Sequence, residues 1–213
     1  LPSSIRQREE EIFKIFYPSL VVPSELRQSI LFLFMTLNVN YRSVNHVQDL
    51  LTVSRNTALK ELRLFEEQCK SKRINFSYNR QNGYQINGFE TIVRKDIEKS
   101  LNNILSDSNG KLYLDHIFEI AEIDANISET YEAISIISEK YELVFVIERV
   151  QELVYLLTFI KNKNNLDLYD IYYDDQTSNY FQSTILYDFS KKVCEQLLIH
   201  KNEDILYFTI RFA

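Results

Sequence analysis

Glycine and proline are scarce, with three of each in 213 residues. Few positions are therefore free to adopt positive φ, and few carry a fixed break. This leaves little room for long loops and predicts a mainly helical fold. Tryptophan is absent, and the two cysteines, Cys69 and Cys194, lie far apart in apolar helical patterns. They read as reduced core thiols of a cytoplasmic protein, not as a disulfide framework. The three histidines, His46, His116 and His200, have no ligand spacing, so no metal site is expected. The longest apolar run near a helix, Ile30 to Met35, is far too short to span a bilayer, and no signal peptide is recognisable. A Gly-rich phosphate loop, GxSxG, HExxH and CxxC are all missing. No catalytic residue, cofactor or enzymatic activity is expected.

What remains is globular in composition, 45% hydrophobic and 25% charged, and long enough for one or two domains. The net charge of −6 argues against a protein that coats nucleic acid, but leaves room for a small basic face. The chain opens at Leu1-Pro2 and stops at Phe212-Ala213, which suggests a piece of a longer protein.

The informative stretch runs from Val44 to Glu90. Its pattern predicts two short helices joined by a tight turn, then a β-hairpin, the element order of a winged helix-turn-helix. Ser54 stands where an N-cap belongs. From there Ala58, Leu62, Phe65 and Cys69 form one helical stripe, and Asn56, Lys60, Arg63 and Glu67 another. The first would pack on the preceding helix and the second would face out. Ile74, Phe76 and Tyr78 alternate with polar residues, Asn82-Gly83 supplies a turn, and Tyr84 and Ile86 alternate again. From Ser54 to Arg80 seven Lys or Arg stand against three Glu, a local net of +4. Arg and Lys donate to guanine, Asn pairs with adenine, and Ser, Thr and a helix N-terminus hold phosphate. Ser54, Arg55, Asn56, Thr57 and Lys60 are thus candidate base and phosphate contacts on double-stranded DNA, with Arg63, Arg80 and Asn82 on its backbone. An ordinary solvated helix and hairpin remain the alternative.

Elsewhere, residues 1–17 read as the tail of an upstream segment. Pro18 to Pro23 is a connector, and Ser24 is expected to cap a largely buried helix bearing Leu26, Ile30, Leu33 and Leu37. A further helix should run from Thr91 to about Leu105. Ser106 to Gly110 is the clearest linker and divides a winged domain, 18–107, from a second domain, 108–213. Residues 110–213 hold nine Lys or Arg and eighteen Asp or Glu, a net of −9, so their general surface will not hold DNA. Helical spacing recurs over Tyr113–Ile123, Ser128–Tyr141, Phe145–Lys163, Ser178–Leu198 and from Asp204 to the end, which predicts an all-helical bundle. Asn162 to Asp175 reads as a polar loop whose Tyr169, Tyr172 and Tyr173 either pack it down or offer a partner surface.

Leu51, Val53, Ser54, Thr57, Glu61 and Leu62 match a signature L-x-V-S-x-x-T-x-x-x-(D/E)-L. It resembles that of bacterial regulators built from helix-turn-helix and PTS-regulation domains, the antiterminator-like activators of sugar phosphotransferase operons and the related Mga-like regulators. Gly83, Tyr84, Gly88 and Glu90 are similar to the family's GY-x-(I/L)-x-G-x-E, and Pro23, Glu25 and Arg27 to the helix that opens its second winged domain. The resemblance implies a PTS-regulation-like second domain. Its two phosphorylatable histidine positions would fall at Leu156 and Arg211. Neither residue offers an imidazole, so the usual phospho-switch is not expected at these sites. The expectation is a DNA-binding transcription regulator whose acidic bundle acts by dimerising or by binding phosphotransferase-system proteins. The alternative is a regulatory and protein-interaction module that does not itself touch DNA.

Overall fold

The computed structural model describes residues 20–163 and 173–213. Among them are ten helices and one two-stranded antiparallel sheet, as the composition predicts. The tail at 1–17, Tyr169 and Tyr172 lie outside the described residues, and Tyr173 is half-buried. No helix among the described residues is long and apolar enough to cross a membrane.

Helix α1 (Arg27–Thr36) is buried at every position from Ile30 to Thr36, because its apolar residues run all round it rather than along one stripe. Helices α2 (Val44–Leu51), α3 (Arg55–Ser71), α4 (Glu90–Leu105) and α5 (Gly110–Ile120) all pack on it. Ser24 does not cap it. Leu26 N–H bonds the Pro23 carbonyl at 3.1 Å, closing a turn that carries the helix start past Ser24, whose hydroxyl meets Glu25 instead. Helix α2 opens with a reciprocal cap: Ser43 Oγ accepts from His46 N–H, and His46 Nδ1 accepts from Ser43 N–H. This occupies His46 locally.

Strands β1 (Asn75–Asn79) and β2 (Gly83–Asn87) pair antiparallel, with Phe76 opposite Ile86 and Tyr78 opposite Tyr84. The turn differs from the Asn82-Gly83 pair expected. The loop is Arg80, Gln81 and Asn82, organised by Asn79 Oδ1, which accepts from the N–H groups of Gln81 (3.0 Å) and Asn82 (2.7 Å). Gly83 is the first residue of β2, at φ +71°. A Cβ there would lie 2.0 Å from the Arg42 carbonyl oxygen, because Arg42 bridges to Gly83 and accepts from Tyr84 N–H at 2.9 Å. The segment between α1 and α2 thus lies along the hairpin edge.

Scarce glycine leaves a clear mark on the helix ends. Five helices end with a left-handed residue that is not glycine: Thr52, Arg73, Glu122, Glu142 and Leu198, at φ 51° to 61°. In each case that residue's N–H bonds three residues back, and the next N–H bonds five back, as in Val53 to Gln48 and Ile199 to Cys194. These are Schellman closures. The residue after each left-handed position is apolar and packs inward: Val53, Ile74, Ile123, Leu143 and Ile199.

Residues 106–109 form the turn into α5, and packing continues across it, since α5 touches α1, α2 and α4. Helices α6 (Ile127–Lys140) and α7 (Ile147–Lys161) form an antiparallel pair, and α4 packs on α7. The single helix expected over Ser178–Leu198 is two, α8 (Asp175–Gln182) and α9 (Ile185–Gln196). Side-chain hydroxyls break it: Ser183 and Thr184 donate to the carbonyls of Tyr180 (2.7 Å) and Phe181 (2.6 Å), and Thr184 then caps α9. Helix α10 (Asn202–Phe212) closes against α7, α8 and α9.

Candidate nucleic-acid interface

Helix α3 follows α2 after the three residues Thr52, Val53 and Ser54. Thr52 is held in its left-handed conformation partly by its hydroxyl, which donates to the Leu20 carbonyl at 2.6 Å. Ser54 caps α3: its Oγ accepts from Thr57 N–H at 3.3 Å and lies 3.0 Å from Thr57 Oγ1. Ala58, Leu62, Phe65 and Cys69 are buried, so the apolar stripe points inward. Ser54, Arg55, Asn56, Lys60 and Arg63 are exposed and Thr57 is half-buried. The sequence-derived candidates on α3 therefore share one outward surface at its N-terminal half.

Two of the three carboxylates of α3 are engaged elsewhere. Glu61 is buried, accepting from Gln28 Nε2 at 2.7 Å and pairing with Arg27 at 3.3 Å. Glu66 pairs with Lys70 at 2.6 Å, whereas Glu67 is exposed and continues the outward stripe beyond Arg63. The outward face from Arg55 to Arg63 thus holds three cations and an amide, and the exposed carboxylate of Glu67 follows on the same stripe one turn beyond Arg63. The basic strip at Lys70, Lys72 and Arg73 is weaker than its sequence suggests. Lys70 is engaged by Glu66, Lys72 pairs with Asp96 at 3.0 Å, and Arg73 is the left-handed residue that ends α3.

At the hairpin tip Arg80 is exposed and Asn82 half-buried, the Asn82 carbonyl accepting from Arg42 N–H at 3.4 Å. Sequence reasoning missed three residues here. Asn45 Oδ1 meets Arg55 at 3.5 Å, and the hydroxyls of exposed Tyr41 and Tyr78 lie 3.4 Å apart. Tyr78 was visible only as a strand residue, and Tyr41 gave no signal. Burial pushes the Tyr84 phenol above its ordinary value, Tyr78 adds to this, and nearby Arg55 opposes it. Arg55 therefore shares its surroundings with the aromatic face of the hairpin. Behind that face Arg42 is fully buried, donating to the carbonyls of Phe34 and Leu37 at the end of α1. Burial lowers its guanidinium to about 10.

The two positions singled out by family resemblance lie in the other half. Leu156 is buried in α7. Arg211 pairs with Glu98 at 2.8 Å and lies 5.3 Å from the Tyr207 ring centroid. It borders a buried ionic cluster between α4 and α10. Arg94 pairs with Glu90 at 2.5 Å and with Asp204, and stacks 4.5 Å from the Tyr207 ring centroid. Lys163 also pairs with Glu90, and Tyr207 donates to Glu98. Burial would raise the Glu90 carboxyl, but Arg94 and Lys163 outweigh it and hold the group below its ordinary value. Among the described residues, Arg94 Nη1 and Glu90 Oε2 are buried without a hydrogen-bond partner.

Both cysteines are free and buried, and burial pushes each thiol up to about 12, which makes them poor nucleophiles. Among the described residues no group of three or more His, Cys, Asp or Glu is placed to hold a metal. No family model, curated protein or solved structure matches the chain.

Proposed function

We propose that this chain is a sequence-specific DNA-binding transcription regulator. Residues 20–107 form a winged helix-turn-helix that enters the major groove with α3, and the acidic helical half regulates it by dimerising or by binding a partner. The observation that carries this reading is the outward face of α3, where Arg55, Asn56, Lys60 and Arg63 stand together while Glu61 turns inward to Arg27 and Gln28. An N-terminal helical face of cations and amides is what base edges and phosphates require. The hairpin adds Arg80 at its exposed tip as a cation for the duplex backbone. The motif resemblance supports a place among the PTS-regulation and Mga-like regulators of sugar-uptake genes. Leu156 and Arg211, standing where histidines would be, argue against the usual phospho-switch.

The test is fluorescence anisotropy of the chain on a labelled duplex from its own upstream region, across several salt concentrations. An Arg55→Ala/Lys60→Ala variant is expected to lose about tenfold in affinity per side chain, with a salt slope shallower by about one for each phosphate contact removed. Absence of binding at low salt refutes the reading.

A second reading, a regulatory module that touches proteins only, has one observation of its own. Ile127, Tyr131, Ile147, Val154 and Tyr155, with Lys111, line a groove of about 440 Å³ at α6 and α7, and Val144 and Val146, in the segment leading into α7, are 96% and 70% exposed. Such an apolar surface favours a protein partner.

A further inference from the structure

A row of aromatic rings runs outward from the core beneath α3. Phe32 meets Phe65 at 6.2 Å between centroids, Phe65 meets Phe76 edge-on at 5.1 Å, Phe76 stacks on Tyr84 at 5.5 Å, and Tyr84 meets Tyr78 at 4.9 Å. The row ends where the hydroxyls of Tyr78 and Tyr41 come within 3.4 Å of each other, on side chains 54% and 37% exposed. Tyr41 belongs to the segment between α1 and α2, and the neighbouring Arg42 is bridged to the hairpin through Gly83. Two chain segments 37 residues apart are thus held so that their phenols converge. The bond between the two phenols raises the Tyr41 phenol above its ordinary value, so it stays protonated. Each phenol has one O–H to donate, and their mutual contact uses only one of the two. The spare O–H sits on a solvent-facing ring, and Tyr84, which meets Tyr78 at 4.9 Å, is near enough to Arg55 to feel its charge.

We infer that Tyr41 and Tyr78 form a neutral phosphate-binding pair for the sugar–phosphate backbone of the duplex whose groove α3 enters. This rests on the reading of α3 as the groove-entering helix. Four features point to a phosphate of DNA. The pair offers O–H donors, which a phosphate oxygen accepts, and side-chain hydroxyls are regular backbone contacts in protein–DNA interfaces. The pair is preorganised by the stack behind it, so little rotamer freedom is lost on contact. Among the described residues no carboxylate is hydrogen-bonded to either phenol. Lastly, Arg55 of α3 lies near enough to Tyr84 for its charge to act on that phenol, and Tyr84 meets Tyr78 at 4.9 Å.

A neutral donor leaves a signature that a cation does not. Removing it weakens binding without changing the number of counterions released. The experiment uses Tyr41→Phe, Tyr78→Phe and the double variant, which keep every ring of the stack, with Arg55→Ala/Lys60→Ala as reference. Each is titrated into a fluorescein-labelled mixed-sequence duplex over a salt series. The double Phe variant is expected to bind about tenfold more weakly than the parent, with an unchanged slope of log K against log salt. Parent-like affinity of the double variant, beside a weakened Arg55→Ala/Lys60→Ala, overturns the phenol contact and leaves the DNA reading standing. A weaker double variant with a shallower slope also overturns it, because the phenols would then be positioning a cation. Failure of the parent to bind any duplex at low salt removes the DNA reading and this inference with it.

Discussion

Five helix ends held left-handed without glycine make a direct stability experiment. A left-handed backbone costs an L-residue about 1–2 kcal/mol. Glycine removes that cost but adds unfolded-state freedom worth about 0.4–1 kcal/mol. At Leu198, which is 74% exposed at φ 61°, the side chain gives up little packing. Leu198→Gly should therefore stabilise by about 0.5–1 kcal/mol, and exposed Glu142→Gly by a similar amount. The two residues share no hydrogen bond, so the double variant should gain about 1–2 kcal/mol. That corresponds to about 2–4 °C in melting midpoint per kcal/mol for a chain of this size.

Thr52 is the internal control. Its φ of 51° carries the same strain, but its hydroxyl donates to the Leu20 carbonyl at 2.6 Å. Losing that bond costs about 1 kcal/mol, so Thr52→Gly should come out near neutral. Urea unfolding followed by circular dichroism reads all four variants on one scale. The reasoning is refuted if Leu198→Gly destabilises by about 0.5 kcal/mol or more, or if Thr52→Gly gains as much as Leu198→Gly.

Arg94→Leu should cost about 3–5 kcal/mol in the same assay, because it strands Asp204 at 7% exposure without its cation. Asp204→Asn, which removes the charge but keeps an acceptor, should cost clearly less, and equal losses would count against charge as the cause. Because Glu90 is held below its ordinary carboxyl value, it contributes stability that is complete above the unfolded-state pKa and lost as pH falls through the folded one. Acid titration of stability should therefore be less steep in Glu90→Gln than in the parent, and identical profiles would remove Glu90 from the account. Gly83→Ala combines φ +71° with a Cβ driven onto the Arg42 carbonyl oxygen. It should destabilise by about 2–3 kcal/mol and lower hydrogen-exchange protection at Tyr84 N–H, and unchanged protection there would refute the close contact.

Helix α3 was legible because everything that defines it is local: a capping serine, a 3.6-residue apolar stripe and outward cations within seventeen residues. The hairpin was legible as alternation, but not in its turn. Asn79 reorganised the loop with its side chain, and Gly83 answered to Arg42, some forty residues earlier. The inward turn of Glu61 had no local signal, since its partners Arg27 and Gln28 belong to another helix. The same distance hid the α4–α10 cluster, whose Arg94 and Asp204 are 110 positions apart. Helix ends were blurred for a different reason. Without glycine to mark them, Schellman closures fell on Thr, Arg, Glu and Leu, and only the apolar residue after each one carried a trace of the motif.

Charge is segregated along this chain, and that bears on how it would meet a polyanion. Residues 110–213 carry −9 of a total of −6, so residues 1–109 carry +3. A body with such a charge moment is turned by the field of a duplex so that its positive end leads and its acidic end is held away. The outward face of α3 stands in the positive part; Glu61 is turned inward to Arg27, and Glu67 is the exposed carboxylate that follows Arg63 on that face. A neutral contact such as the Tyr41–Tyr78 pair fits this arrangement. On the proposed DNA reading it would add hold on the backbone without adding charge, so the overall acidity would limit non-specific binding while the oriented encounter kept its geometry. On this account, adding lysines to the bundle should raise affinity for all duplexes alike and so erode discrimination, whereas changes at Arg55 and Asn56 should alter which duplex is preferred.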